Sequence, residues 1–206
     1  MSAPLLVATR SGGKQREFTA LLAPLGREIV FPQDVGIAGD PAEDALEVHP
    51  TFTANAAAKA RWFRDRAGLD TLADDSGLEV DALDGAPGVR SKRFAGADGP
   101  DDVVSGRNIA ELLQRLRGLP VAERTARFRC VLVLAPARSS APEIVVAGTA
   151  EGRILEAPRG TGGFGYDPVF WSEELGAAFG EASREAKAGV SHRARAVAAL
   201  LEALRG

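Results

Sequence analysis

A short apolar run, a turn of small residues and an amphipathic segment follow one another directly at the start of this chain. Leu5, Leu6, Val7 and Ala8 read as a buried strand ending at Thr9, and Arg10, Ser11, Gly12 and Gly13 as the turn. Residues 14–22 then carry Phe18, Leu21 and Leu22 on one helical face. A strand that feeds a helix through so short a turn calls for an α/β arrangement, because the apolar stripe of the helix must be buried against a sheet. The remaining pattern agrees. A strand is expected at 28–31, a loop at 33–50, and a helix at 51–66 with Phe52, Ala56, Ala60 and Phe63 as its stripe. Asn55 and Lys59 lie one turn apart on a neighbouring stripe of that helix. Residues 71–73 and 78–80 read as extended segments flanking the turn-like Asp74-Asp75-Ser76-Gly77. A loop at 85–102 and a helix at 103–116 follow. An antiparallel pair at 124–135 and 143–155 would turn at 137–142, and a final helix at 191–205 would be capped by Ser191. Without repeats or linkers, one α/β unit is expected.

Composition narrows the function classes. At 206 residues the chain can bury a core without staples. Its only cysteine, Cys130, lies in an apolar run and reads as an inert buried thiol, compatible with a reducing cytoplasm. One cysteine and two histidines, His49 and His192, give no support to a Cys-His nucleophile or a zinc site. A net charge of −3 argues against binding of nucleic acid polymers. The opening apolar run is too short for a signal sequence, and no stretch approaches the length of a membrane span. A soluble, cytoplasmic protein is therefore expected.

Several segments could carry chemistry. Gly160-Thr161-Gly162-Gly163-Phe164-Gly165-Tyr166-Asp167-Pro168 wraps two aromatic rings and a carboxylate in small residues. Such a loop can bring backbone close to a planar heterocycle, stack a ring on it and read its polar edge; it can equally be a tight turn with both rings in the core. Thr9-Arg10-Ser11-Gly12-Gly13-Lys14 offers hydroxyls, a pliable backbone and an ammonium at a helix start, as a phosphate cradle would, or is an ordinary strand-to-helix turn. It is not a Walker A motif, since Gln15 follows the lysine. Consecutive Asp74 and Asp75 should point to opposite faces of an extended segment, so that one serves a site and the other the structure. Mg²⁺ needs only one or two carboxylates beside waters and substrate phosphates. Ser191-His192-Arg193 forms a second helix start.

Taken in order, these blocks resemble the Ham1-like family of inosine triphosphate pyrophosphatases. The resemblance runs through Leu6-Val7-Ala8-Thr9 to Lys14, Thr51-Phe52-x-x-Asn55-Ala56-x-x-Lys59-Ala60 and Ala73-Asp74-Asp75-Ser76-Gly77-Leu78-x-Val80. It continues through Gly85-Ala86-Pro87-Gly88-Val89-x-Ser91-x-Arg93, Gly160 to Pro168, Lys187 and Ser191-His192-Arg193. Ser11 stands where the family usually has Asn, and Leu46-Glu47-Val48-His49 where it reads Glu-Glu-Thr-Gly. The resemblance implies one domain over residues 1–206, with an elongated mixed β-sheet and flanking helices forming two lobes around a nucleotide-binding cleft. It implies a homodimer that hydrolyses ITP, dITP and XTP to monophosphate and pyrophosphate with Mg²⁺. By the same resemblance Asp75 is the catalytic and metal-associated carboxylate and Glu47 the second metal-associated one. Thr9, Arg10, Ser11, Gly12, Gly13, Lys14, Lys59 and Lys187 would surround the phosphates. Ser76 would contact substrate, and Phe164, Gly165, Tyr166, Asp167, His192 and Arg193 would read the base. Hydrolysis of a modified pyrimidine nucleotide, or nucleotide binding without hydrolysis, are the alternatives.

Overall fold

A computed structural model describes residues 3–96, 98–138 and 140–205. Part of the expected 137–142 turn, Ser139, lies outside the described residues. Seven strands form one mixed sheet: β1 Leu5–Val7, β2 Ile29–Val30, β3 Thr71–Val80, β4 Thr125–Ala135, β5 Ile144–Ile154, β6 Phe170–Ser172 and β7 Ala177–Ala178, in the order β2-β1-β3-β4-β5-β6-β7. Strand β1 pairs in parallel with β2 and β3, through Leu5 with Ile29 and Leu6 with Thr71. Strands β5, β6 and β7 are antiparallel neighbours. The helices are α1 Gly12–Leu21, α2 Phe52–Ala67, α3 Asp101–Arg115, α4 Arg184–Val190 and α5 His192–Ala203.

The expected elements are present, and among the differences three stand out. Asp74-Asp75-Ser76-Gly77 makes no turn: β3 runs unbroken from Thr71 to Val80, so both carboxylates sit in mid-strand. Strand pairing on both sides of β3 outweighs the local turn preference of those four residues. Within the expected 33–50 loop, Pro41–Glu47 winds into a 3-10 segment closed by a capping box, in which Asp40 Oδ1 accepts from Ala42 N at 2.8 Å. Helix α4, which has little apolar periodicity of its own, is started by the Ser183 hydroxyl accepting from Ala186 N.

The chain forms two compact units. Unit 1 comprises residues 1–75, 130–148 and 194–206; unit 2 comprises 76–129 and 149–193. Each has its own apolar core. In unit 1, Leu5, Val7, Phe18, Leu22, Leu72, Cys130, Leu132, Val197 and Leu200 pack together, which buries the single thiol as expected. In unit 2, Leu78, Val80, Leu112, Leu116, Phe128, Ile154, Tyr166, Phe170 and Phe179 do so. The α2 stripe is buried in unit 1, and with Phe52, Ala56, Ala60 and Phe63 it buries Asn55 and Lys59 as well. Two polar side chains are thereby held in a desolvated setting, where they must find partners.

Candidate active site

Unit 1 gathers a cluster of opposite charges. Helix α1 begins at Gly12, after Ser11 in extended backbone, and the Ser11 hydroxyl makes no capping bond. Instead Ser11 N donates to Thr9 Oγ1 at 3.3 Å, and Gln15 Nε2 donates to the Thr9 carbonyl at 3.1 Å. The loop is thus shaped by Thr9 and Gln15. This leaves the first-turn amides of α1, around Gly12, Gly13 and Lys14, in the position where a helix has no internal acceptors for them. Lys14 Nζ reaches back 2.8 Å to Asp74 Oδ2. Lys59 Nζ lies 2.5 Å from Glu47 Oε1, at the end of the 3-10 segment.

Asn55 ties the cluster together. Its Nδ2 donates to Asp75 Oδ2 at 2.8 Å, and its Oδ1 accepts from His49 N at 2.9 Å. One buried amide therefore fixes both the carboxylate of β3 and the chain just beyond Glu47. Asn55 is absent from the site residues inferred above. Its spacing from Lys59, one turn along a helix, was the available signal.

Burial dominates the electrostatics of Asp75. It pushes the carboxyl up to about 6, against the opposing pull of Lys59, the Asn55 hydrogen bond and Lys14, with Glu47 adding a smaller upward push. Lys59 shows the complementary balance: burial lowers its pKa, but Glu47, then Asp74 and Asp75, outweigh this and hold it above the ordinary lysine value. Asp74 was expected to serve structure, away from the site. The structure instead places its carboxylate, 1% exposed, in an ion pair with Lys14 and within the field of Lys59.

Arg10 is engaged within unit 1. Its guanidinium is bidentate on Glu43, at 2.8 and 2.7 Å, and donates to the carbonyls of Ile37 and Ala38 at 3.1 and 2.8 Å.

Unit 2 holds the second cluster. In the Gly-rich loop, Gly163 has φ 74°, and a Cβ there would collide with the Asp167 carboxylate. That carboxylate, 2% exposed, accepts from Phe164 N at 2.8 Å and pairs with Lys187 Nζ at 2.5 Å. Asp167 and Lys187 thus hold each other and the loop, and they leave Phe164 half-buried. Lys187 Nζ lies 5.1 Å, and Arg193 Cζ 5.8 Å, from the centre of the Phe164 ring. Arg193, 1% exposed, donates through Nη2 to Ser76 Oγ at 2.9 Å. His192 stacks on Phe128 at 4.7 Å and 13°. Tyr166 joins the core, and its hydroxyl donates to the Ser91 carbonyl at 2.9 Å. One aromatic of the loop is thus in the core, and the other is held beside two cations. Lys187, which the resemblance grouped with Lys14 and Lys59, belongs to this cluster through Asp167.

Phosphate-type amides, paired lysines and a buried carboxylate of raised pKa make a set suited to hydrolysing a charged anhydride. The ring flanked by donors in unit 2 is suited to recognising a planar heterocycle. Residues 5–203 match the model of the Ham1 family. A dITP/XTP pyrophosphatase of Geobacillus kaustophilus is 48% identical over 199 residues, 96% of this chain and 92% of that protein. A dITP/XTP pyrophosphatase of Escherichia coli strain K12 is 42% identical over 201 residues, 98% of each chain. Among solved structures, a HAM1 protein from Coxiella burnetii superposes with a TM-score of 0.83 at 32% identity, covering 99% of both chains. A nucleoside-triphosphatase and dITP/XTP pyrophosphatase from Mycobacterium abscessus gives 0.72 at 39% identity, covering 96% of this chain and 98% of that one. With the family model matched over residues 5–203 and the fold shared over nearly the full length, the chain belongs to the Ham1 family.

Proposed function

We propose that this protein hydrolyses noncanonical purine nucleoside triphosphates, ITP, dITP and XTP, between the α- and β-phosphates, releasing nucleoside monophosphate and pyrophosphate. The observation that carries this reading is Asp75: a buried carboxylate with a pKa of about 6, oriented by Asn55 and in the field of Lys59 and Lys14. At neutral pH it is mostly ionised yet still basic enough to take a proton from an attacking water. The α1 amides and Lys14 would hold the triphosphate, and Lys59 would offset the charge that develops on the departing pyrophosphate. Asp75 and Glu47 are close enough for the charge of Glu47 to be felt at Asp75, and two such carboxylates suit Mg²⁺ completed by substrate phosphates and water. When bound, Mg²⁺ would polarise the phosphoryl oxygens and neutralise their charge.

Base recognition is proposed for Phe164 and Arg193. Hypoxanthine and xanthine carry an acceptor at C6 where adenine carries a donor. Arg193 can only donate, so it favours the carbonyl, while Phe164 offers its ring for stacking. A cytoplasmic location and assembly as a homodimer complete the reading; among the described residues no helix is long and apolar enough to cross a membrane. The test is a panel of nucleoside triphosphates with Mg²⁺, scored for monophosphate and pyrophosphate. Hydrolysis of ATP as efficient as that of ITP, or release of orthophosphate in place of pyrophosphate, overturns it.

A further inference from the structure

We infer that Arg10 is a positioning residue, a clamp that fixes the Pro41–Glu47 segment so that Glu47 is delivered to Lys59, rather than a contact for substrate phosphate. The inference rests on the function proposed above for its kinetic consequence but not for its geometry. Arg10 lies in the turn between β1 and α1, next to the phosphate loop, yet the hydrogen bonds its guanidinium makes run to the 37–43 stretch. Two nitrogens grip Glu43, and Nη2 also reaches the carbonyls of Ile37 and Ala38. Glu43 is itself part of the capping box: its Oε1 accepts from Asp40 N at 3.2 Å. The guanidinium therefore locks both the entry and the first turn of the segment whose last residue is Glu47.

At the far end, Glu47 is held by Lys59, and His49 by Asn55. Of these three fastenings, two come from α2 and only that of Arg10 comes from the β1–α1 turn. The clamp thus couples the loop that presents helix amides to the segment that presents a carboxylate. A fork-shaped donor is required, because the grip is bidentate on Glu43 and shared with two carbonyls; the single ammonium of lysine cannot reproduce it. Loosening the segment would displace Glu47 without removing any group that touches phosphate, and small displacements of a positioned group cost large factors in rate, up to about 100-fold per ångström.

The experiment compares Arg10→Gln, Glu43→Gln and the double variant, with Arg10→Lys as a milder version that keeps the charge. Hydrogen exchange of the amides at 42–48, which needs no substrate, should accelerate about 10-fold or more in both single variants and partly in Arg10→Lys. With ITP and Mg²⁺, kcat should fall by about 10-fold in each single variant while KM stays within about 2-fold, and the double variant should be no worse than the poorer single one, because both remove one interaction. Unchanged exchange in both single variants overturns the clamp. So does a raised KM in Arg10→Gln with Glu43→Gln silent, the pattern of a direct phosphate contact, or losses that multiply in the double variant. If the parent does not turn over ITP, the proposed function fails while the exchange arm still decides the clamp.

Discussion

Lys14 Nζ sits 2.8 Å from Asp74 Oδ2, and the carboxylate is 1% exposed while the lysine is 17% exposed. Lys14, proposed above to hold the triphosphate, is therefore also a counter-ion of a nearly inaccessible charge. Lys14→Ala should both impair triphosphate turnover and destabilise the fold by about 3 kcal/mol, because it removes an ion pair from a buried carboxylate. Adding Asp74→Asn should recover at least half of the lost stability without recovering turnover. Urea unfolding of the two variants, with an activity assay alongside, checks this; a Lys14→Ala protein as stable as the parent contradicts it.

Asp75 gives a pH-dependent prediction of definite sign. Its folded-state pKa, about 6, lies above the ordinary 3.8, so the ionised form is disfavoured in the folded protein. The resulting cost is absent below pH 3.8, grows as pH rises from there to about 6, and is constant above, where it amounts to about 2–3 kcal/mol. Asp75→Asn keeps an acceptor for Asn55 Nδ2 but carries no charge. The variant should be inactive, yet melt higher than the ligand-free parent at pH 8, with the difference shrinking towards pH 4. Melting curves across this range test the point; an Asn variant that is less stable at pH 8 rejects it.

Selectivity should depend on the bond between Arg193 and Ser76. Arg193→Ala should erode the preference for ITP over ATP, chiefly by lowering kcat/KM for ITP, by about 100-fold or more if the guanidinium pairs with the C6 carbonyl. Ser76→Ala leaves the donor in place but frees its orientation, and should give a smaller loss of the same kind, about 10-fold. Measured kcat/KM ratios for the two nucleotides decide; a ratio unchanged in Arg193→Ala would move base recognition to other residues.

Tyr166 should matter for stability rather than for base choice. Its hydroxyl is spent on the Ser91 carbonyl, and Ser91 Oγ in turn accepts from Leu78 N at 2.9 Å, so the phenol belongs to a buried network. Tyr166→Phe should cost about 1–2 kcal/mol and leave the ITP-to-ATP ratio as in the parent. Phe164→Ala should do the reverse, weakening nucleotide binding while the half-buried ring costs the fold little. Finding a change of ratio in Tyr166→Phe would place the phenol at the base.

Much of this molecule was legible in its sequence because the relevant forces are local. The apolar stripe of α2, the burial of Cys130 and the strand-turn-helix start follow from periodicity and turn chemistry within windows of a dozen residues. The ordered blocks around Lys14, Asp75 and Arg193 pointed to the family. The tertiary structure decided what depends on residues far apart in the chain. Asp74-Asp75-Ser76-Gly77 prefers a turn locally but is held straight by strands on both sides. The assignments of Arg10, Tyr166 and Arg193 hinge on partners 33, 75 and 117 positions away, namely Glu43, Ser91 and Ser76. A side chain's chemistry is fixed by its type, but whether it meets a ligand or another part of the protein is settled by which polar groups burial forces it to satisfy, and only the folded chain brings those groups within reach.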